Sequence, residues 1–311
     1  MNATTRGEAL MKGILFTLML FAAAASGQTG VVLQRLFSSP QAGAAALVEA
    51  LKANDEASLR DILGSRGVAL IERRERAAGE NPHERFLTAY AESNKLALEG
   101  DRKAVLEVGK DDWPFPIPLI KVADAWRFDA RLGEQEVLAR RIGRNELAAI
   151  QVCLAVVDAE REYASSPHDK DQALKYTPRF VSTPGKHDGL YWESAAGEPL
   201  SPLGPFAAAA GVDPAGGRAA VQRGPYHGYF YRILTRQGKN AKGGAYSYVA
   251  HGMMIGGFAV LAYPARYDYA GVKTFQVSRD GEVFEKDLGK NTRAVAEKIQ
   301  VFDPDASWKK H

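Results

Sequence analysis

Between residues 133 and 165 apolar side chains recur at Val137, Leu138, Ile142, Leu147, Ile150, Leu154 and Val157. Only a helix gathers positions with this spacing onto one face, so the segment predicts a long amphipathic helix, with Gly143 as a kink between two parts. That helix divides the chain into two halves of different pattern.

The first half opens with Ser38-Ser39-Pro40, a capping serine followed by a proline suited to a first helical turn. Ala44, Leu47, Val48 and Leu51 continue at helical spacing, Asn54-Asp55 breaks the run, and Leu59, Ile62 and Leu63 predict a second short helix ending at Gly64. Residues 64–82 are charged and weakly patterned, and residues 83–94 read as helix again through Phe86, Leu87 and Tyr90. From Lys95 the period changes to two. Ala104-Val105-Leu106-Glu107-Val108 reads as a strand and Gly109-Lys110-Asp111-Asp112 as its turn. Pro114, Pro116 and Pro118 alternate, which suits an edge strand or a polyproline II segment but not a central strand. Ala125-Trp126-Arg127-Phe128 supplies the next strand.

After the long helix, residues 166–224 are rich in Pro, Gly, Ala and Ser and read as long loops with a short helix at 206–210. The remainder is β-rich. Strands are predicted at 229–234, 257–264 and 274–278, and Asp280-Gly281 is a hairpin turn leading to a pairing strand at 283–286. The fold class is α+β, with an N-terminal α+β domain at 35–132 and a long helix plus antiparallel sheet at 133–311.

Helices followed by a meander ending in the Trp126 strand look like the cone-shaped domain of the nuclear-transport-factor-2-like superfamily. The second half resembles the head domains of type IV pilins and pseudopilins, carried by Arg144-Asn145-Glu146-Leu147-Ala148-Ala149-Ile150, Gly228-Tyr229-Phe230-Tyr231, Tyr263-Pro264 and Gly271-Val272-Lys273-Thr274-Phe275-Gln276-Val277. Pilins begin with a long hydrophobic helix, whereas the equivalent helix here is internal and amphipathic, which argues against a filament subunit. Over the whole chain after the leader, Phe37-Ser38-Ser39-Pro40, Asp111-Asp112-Trp113-Pro114-Phe115-Pro116, Arg141-Ile142-Gly143-Arg144-Asn145-Glu146 and Gly243-Gly244-Ala245-Tyr246 are similar to a bacterial exported family, domain of unknown function 2950. That resemblance implies export and transfers no catalytic residue.

The leader supports the same address. Lys12 precedes an uncharged run from Ile14 to Ala25, then small Ser26-Gly27 and polar Gln28, the layout of a secretory signal peptide spanning 1–27, with Met11 as an alternative start. The run is short of the roughly 20 apolar residues that span a bilayer. Cleavage would leave a periplasmic or secreted product without a transmembrane segment. Cys153 is the only cysteine, far from the leader, so no lipid is attached there and no disulfide forms within the chain. Its apolar helical setting predicts a buried thiol.

The 40 basic and 37 acidic residues are interleaved and leave a formal charge of +3, which offers no nucleic-acid footprint. None of the six histidines has a metal-binding spacing, no GxSxG or Walker sequence occurs, and no cofactor or metal is called for. Three places hold candidate chemistry. His187 and Asp188, an imidazole beside a carboxylate, are candidates for a base and its orienter, with His251 as a further acid or base. Arg144, with Arg141 and Glu146, is a candidate anion site or a structural ion network, the network being favoured. Trp113, Tyr191, Trp192, Tyr229 and Tyr231 are candidates to line a ligand cleft. The leading expectation is a non-enzymatic module that binds an envelope protein partner or assists its assembly. The alternative is a periplasmic hydrolase-like enzyme with its site at the junction of the two halves.

Overall fold

The computed structural model describes residues 34–78, 82–167, 173–194, 197, 200–203 and 224–311. The leader, His168 and the predicted helix at 206–210 lie outside the described residues.

The first half begins with α1 (Pro40–Lys52), whose Ser39 cap accepts a hydrogen bond from Ala42 N, with Pro40 in the first turn. Asn54 then adopts a φ of 50° and ends the run. The next helix, α2 (Glu56–Ala78), is longer than its pattern suggested. Gly64 does interrupt it, at φ 70° and ψ 163°, but helix resumes beyond. The second segment is held by tertiary contact: Val68 is buried, and Gly67 lies against Leu63 and Ile117, leaving no room for a side chain there. α3 (Pro82–Glu92) follows, then β1 (Asn94–Glu99), β2 (Lys103–Val108), β3 (Trp113–Pro114), β4 (Leu119–Val122) and β5 (Ala125–Phe128). The strands form an antiparallel sheet in the order β1-β2-β4-β5, with β3 also paired to β2. Pro114 therefore sits on a two-residue strand at the margin, where its missing N–H costs no ladder bond. Ala104, Leu106 and Val108 alternate inward and join Leu47, Ile62, Leu63, Ile117, Leu119 and Phe128 in one core.

α4 (Ala130–Ala164) is one continuous helix, without the kink expected at Gly143, capped by Asp129 accepting from Leu132 N. Its first turns pack on the first half, where Gly133 abuts Ile117 so closely that a Cβ would lie 2.8 Å from Ile117 Cγ1. Its last turns bury Ala149, Ile150, Cys153, Val156, Val157 and Tyr163 in a second core. Gly143 lies on neither contact: a Cβ there would meet nothing within 4 Å. Gly143→Ala is therefore expected to stabilise the protein by about 1 kcal/mol, because glycine in a helix costs roughly that much relative to alanine. Chemical denaturation checks it.

The second sheet is an antiparallel meander. β6 (Tyr229–Leu234), β11 (Ala259–Pro264), β12 (Lys273–Ser278), β13 (Val283–Asp287) and β14 (Lys309–Lys310) stand in the order β14-β13-β12-β11-β6. Two hairpins, β7 (Arg236–Gln237) with β8 (Tyr246–Ser247) and β9 (Val249–Ala250) with β10 (Met253–Met254), interrupt the chain between β6 and β11. A short helix, α5 (Thr292–Ala296), follows β13. Gly281, at φ 83°, makes the Asp280-Gly281 turn between β12 and β13. α4 is tied to this sheet by polar bonds as well. Asn145 Nδ2 donates to Ala270 O at 2.8 Å, and Glu146 Oε1 accepts from Val272 N and Lys273 N at 2.8 and 3.0 Å.

Candidate functional site

The 176–192 segment folds back on the end of α4 and is pinned there by two side chains. Tyr163 donates its hydroxyl proton to His187 O at 2.7 Å, and Glu160 Oε2 accepts from Thr177 N at 3.0 Å. Thr177 Oγ1 in turn donates to Asp188 O. Glu160 is fully buried and its Oε1 has no hydrogen-bond partner among the described residues. Burial pushes its pKa up to about 8, only partly opposed by the Thr177 amide, so at neutral pH the carboxyl is protonated. Glu160 completes the buried stripe Cys153, Val156, Val157 at positions three, four and seven apart. Its spacing from Cys153 places it on that stripe although it stands among the charges of the helix end. Burial raises the Cys153 thiol pKa as well, which suppresses the thiolate.

Within the segment two stretches lie side by side. Val181 and Tyr191 form a parallel bridge in which Tyr191 N donates to Phe180 O and Ser182 N donates to Tyr191 O. The loop between them is closed by Asp188, whose oxygens accept from Thr183 N at 2.6 Å and Thr183 Oγ1 at 2.8 Å, with Arg179 Nη1 at 3.9 Å. Burial would raise the Asp188 pKa. The Thr183 bonds and the Arg179 and Lys186 charges outweigh that, and it lies below the ordinary value.

His187, Asp188, Tyr191 and Trp192 therefore share one layer, yet not as an acid–base pair. The Asp188 carboxylate turns to Thr183 and Arg179, while the His187 ring stacks on Trp192 with centroids 4.4 Å apart. His251 is exposed at φ 52° in the turn from β9 to β10, where with Gly252 it supplies the two positive φ angles of a tight hairpin. Arg144 is exposed and away from this layer, while its neighbours Asn145 and Glu146 bond the backbone of 270–273. Arg140 Nη1 donates to Pro114 O at 2.9 Å and pairs with Glu136. These side chains at the junction of the halves are structural ties.

The more open feature is a groove of about 640 Å³ between residues 178–181 and the outer edge of β6. β6 pairs with β11 on one side only. Because ladder bonds alternate in an antiparallel pair, every second residue of β6 turns its N–H and C=O outward. Tyr229 is one of these, since its N–H and C=O both bond Tyr226, and Thr235 O accepts from Tyr248 N at the far end. Between those closed ends, Tyr231 and Ile233 have outward backbone groups that bond no described residue. The opposite wall matches. Phe180 O and Ser182 N are used by Tyr191, so Val181 directs its own N–H and C=O away from Tyr191, on the groove side.

Three guanidinium groups line the groove, with Glu297 as the only carboxylate among the lining residues. Arg179 donates to Thr183 Oγ1, and Arg293 pairs with Glu297 at 2.9 Å and lies over the Phe230 ring. Arg232 donates to the carbonyl oxygens of Ala296, Glu297 and Ile299, capping the end of α5, and its buried Nε has no acceptor among the described residues. Among the described residues no carboxylate forms an ion pair with Arg232. Sequence reading singled out Tyr231 but none of these arginines, which are scattered over more than a hundred positions and converge only when β6, α5 and the 176–192 segment assemble.

Residues 34–311 match a protein family described as protein of unknown function (DUF2950). The chain belongs to that family. No curated protein and no solved structure matches it. The resemblance of the second half to pilin heads is not confirmed by these comparisons, and the groove of this DUF2950 member has to be read from its own geometry. Among the described residues no cluster of three or more His, Cys, Asp or Glu side chains could hold a metal ion, and no helix is long and apolar enough to cross a membrane.

Proposed function

We propose that the chain is a non-enzymatic binding module of the bacterial envelope, exported by residues 1–27, which captures an extended acidic segment of a partner protein along β6. The observation that carries this reading is the open edge at Tyr231 and Ile233, facing Val181 across a groove lined by Arg179, Arg232 and Arg293. An extended peptide laid there would complete the sheet by main-chain hydrogen bonds, the mode by which strand addition supplies affinity. Carboxylates on the incoming strand would meet the guanidinium groups, which fixes register and disfavours basic segments.

A fluorescently labelled eight-residue peptide alternating valine and glutamate provides the test, read by anisotropy. It is expected to bind saturably and to weaken with added salt, while the lysine counterpart does not bind. Arg293→Glu, an exposed change, is expected to reduce affinity about tenfold or more, consistent with losing a hydrogen bond to a charged group. N-methylation of alternate peptide amides on one edge should abolish binding. Equal binding of the methylated peptide would remove strand addition from the account.

A further inference from the structure

A second open edge, independent of the groove, lies in the first half. β1 ends its sheet and pairs with β2 on one side only. Two bonds fix which of its residues face outward. Leu106, opposite Leu96, gives its carbonyl to Phe115 N on the far side of β2, and Gly109 N donates to Ser93 O. A strand residue turns its N–H and C=O to the same side, and successive residues alternate. Lys95, Ala97 and Glu99 therefore bond β2, while Leu96 and Leu98 direct their backbone groups away from it, where they bond no described residue. The strand has neither a proline nor a bulge to blunt this edge, and its Leu98 is 65% exposed.

We propose that β1 is a homodimer interface, pairing antiparallel with β1 of a second copy about a twofold axis at Ala97. Lys95-Leu96-Ala97-Leu98-Glu99 is self-complementary in that register. Leu96 then stands opposite Leu98 of the second copy, and because both have outward backbone groups the pair exchanges both ladder bonds. Lys95 stands opposite Glu99 of the second copy. Lys95 already lies 3.3 Å from Glu107 on β2, and Glu99 lies 2.8 Å from Lys103, so the row across the joined sheet runs Glu107, Lys95, Glu99, Lys103 with alternating charge. On the other face the row runs Leu106, Leu96, Leu98, Ala104, apolar throughout, and it covers the exposed leucine. Neighbouring registers lose this match. An axis at Leu96 sets Leu98 against Asn94, and one at Leu98 carries the pairing past Glu99 into the turn at Gly100, which has a φ of 64°. A strand from an unrelated partner would not require an order complementary to itself. A strand pair of this length falls at the small end of protein interfaces, below about 1,200 Å², so the dimer should dissociate on dilution.

Sedimentation of the purified full chain, from low micromolar to near-millimolar concentration, is expected to show a reversible monomer–dimer equilibrium that the acidic peptide of the β6 groove does not displace. Lys95→Glu sets a carboxylate against Glu99 of the second copy, and Glu99→Lys sets an ammonium against Lys95. Each variant alone is expected to weaken self-association about tenfold or more, because the like charges meet in both halves of the symmetric pair. Mixed in equal amounts, the two variants present opposite charges to each other, and dimerisation should return. Ala97→Cys reads the register. The two Ala97 residues form a non-hydrogen-bonded pair with Cα atoms about 4.5 Å apart, within disulfide reach, and the native Cys153 is fully buried. Oxidation is expected to give a covalent dimer with Ala97→Cys and none with Asn94→Cys, whose copies would stand roughly 20 Å apart. Should either charge variant misfold, the cysteine pair decides alone. A monomer at every concentration, displacement by the groove peptide, no recovery in a mixture of folded variants, or equal cross-linking at the two cysteine positions would overturn the interface.

Discussion

Glu160→Gln is expected to gain stability relative to the wild type as the pH rises, by about 3 kcal/mol between pH 4 and pH 7 and by up to about 5 kcal/mol above pH 8. The carboxyl has a pKa of about 8 in the folded protein against an ordinary value of 4.5, with burial as the dominant cause. Between those values the folded chain retains a proton that the unfolded chain releases. Raising the pH therefore favours unfolding, by about 1.4 kcal/mol for each unit, until the folded carboxyl itself ionises. Glutamine carries no charge to bury and keeps an oxygen to accept from Thr177 N. Urea titrations at several pH values should give a stability difference between the two that is constant below about pH 4 and shifts steadily in favour of glutamine above it, whatever the buried amide N–H groups cost. Parallel curves across pH 4–8 would show that Glu160 is not held neutral.

Gly189→Ala is expected to cost about 3 kcal/mol, at the upper end for overpacking a filled site. A Cβ at Gly189 would stand 2.6 Å from both Ser182 N and Val181 C, and 2.8 Å from Val181 O. All three are backbone atoms, so no side chain can swing aside. The two stretches must part, and with them the reciprocal bonds between Ser182 Oγ and the Gly189 N–H and C=O. Hydrogen exchange should report the loss first at Ser182 and Tyr191, whose amides span the two stretches. Since Val181 forms one wall of the groove, affinity for the acidic peptide should fall as well. Gly224→Ala, where a Cβ meets nothing within 4 Å, serves as a control expected to lie within about 0.5 kcal/mol of wild type.

Glu160 also illustrates how residues conceal their roles. A carboxylate among other charges near a helix end reads as solvated surface, and the stripe that places it inward emerges only when its spacing from Cys153 is counted. The arginines of the groove are harder still. Arg179 lies on an irregular segment, Arg232 on a strand and Arg293 on a five-residue helix, with no periodic signal linking them. Residues His187 and Asp188 are the converse case: adjacent side chains usually diverge, and here each has a different partner, the imidazole on Trp192 and the carboxylate on Thr183.

What the sequence determined by itself was local. The Ser39 cap and first-turn proline of α1, the stripe of α4, the two-residue period of β2 and the Asp280-Gly281 turn are all set by neighbours within a few positions, where steric and hydrogen-bonding preferences act directly. Tertiary structure decided the helix beyond Gly64, which burial on Ile117 sustains, and the unbroken run of α4 through Gly143. It also decided the groove, which is a space between elements distant in the chain. Such a space depends on which faces are left uncovered after packing, and no local pattern records that.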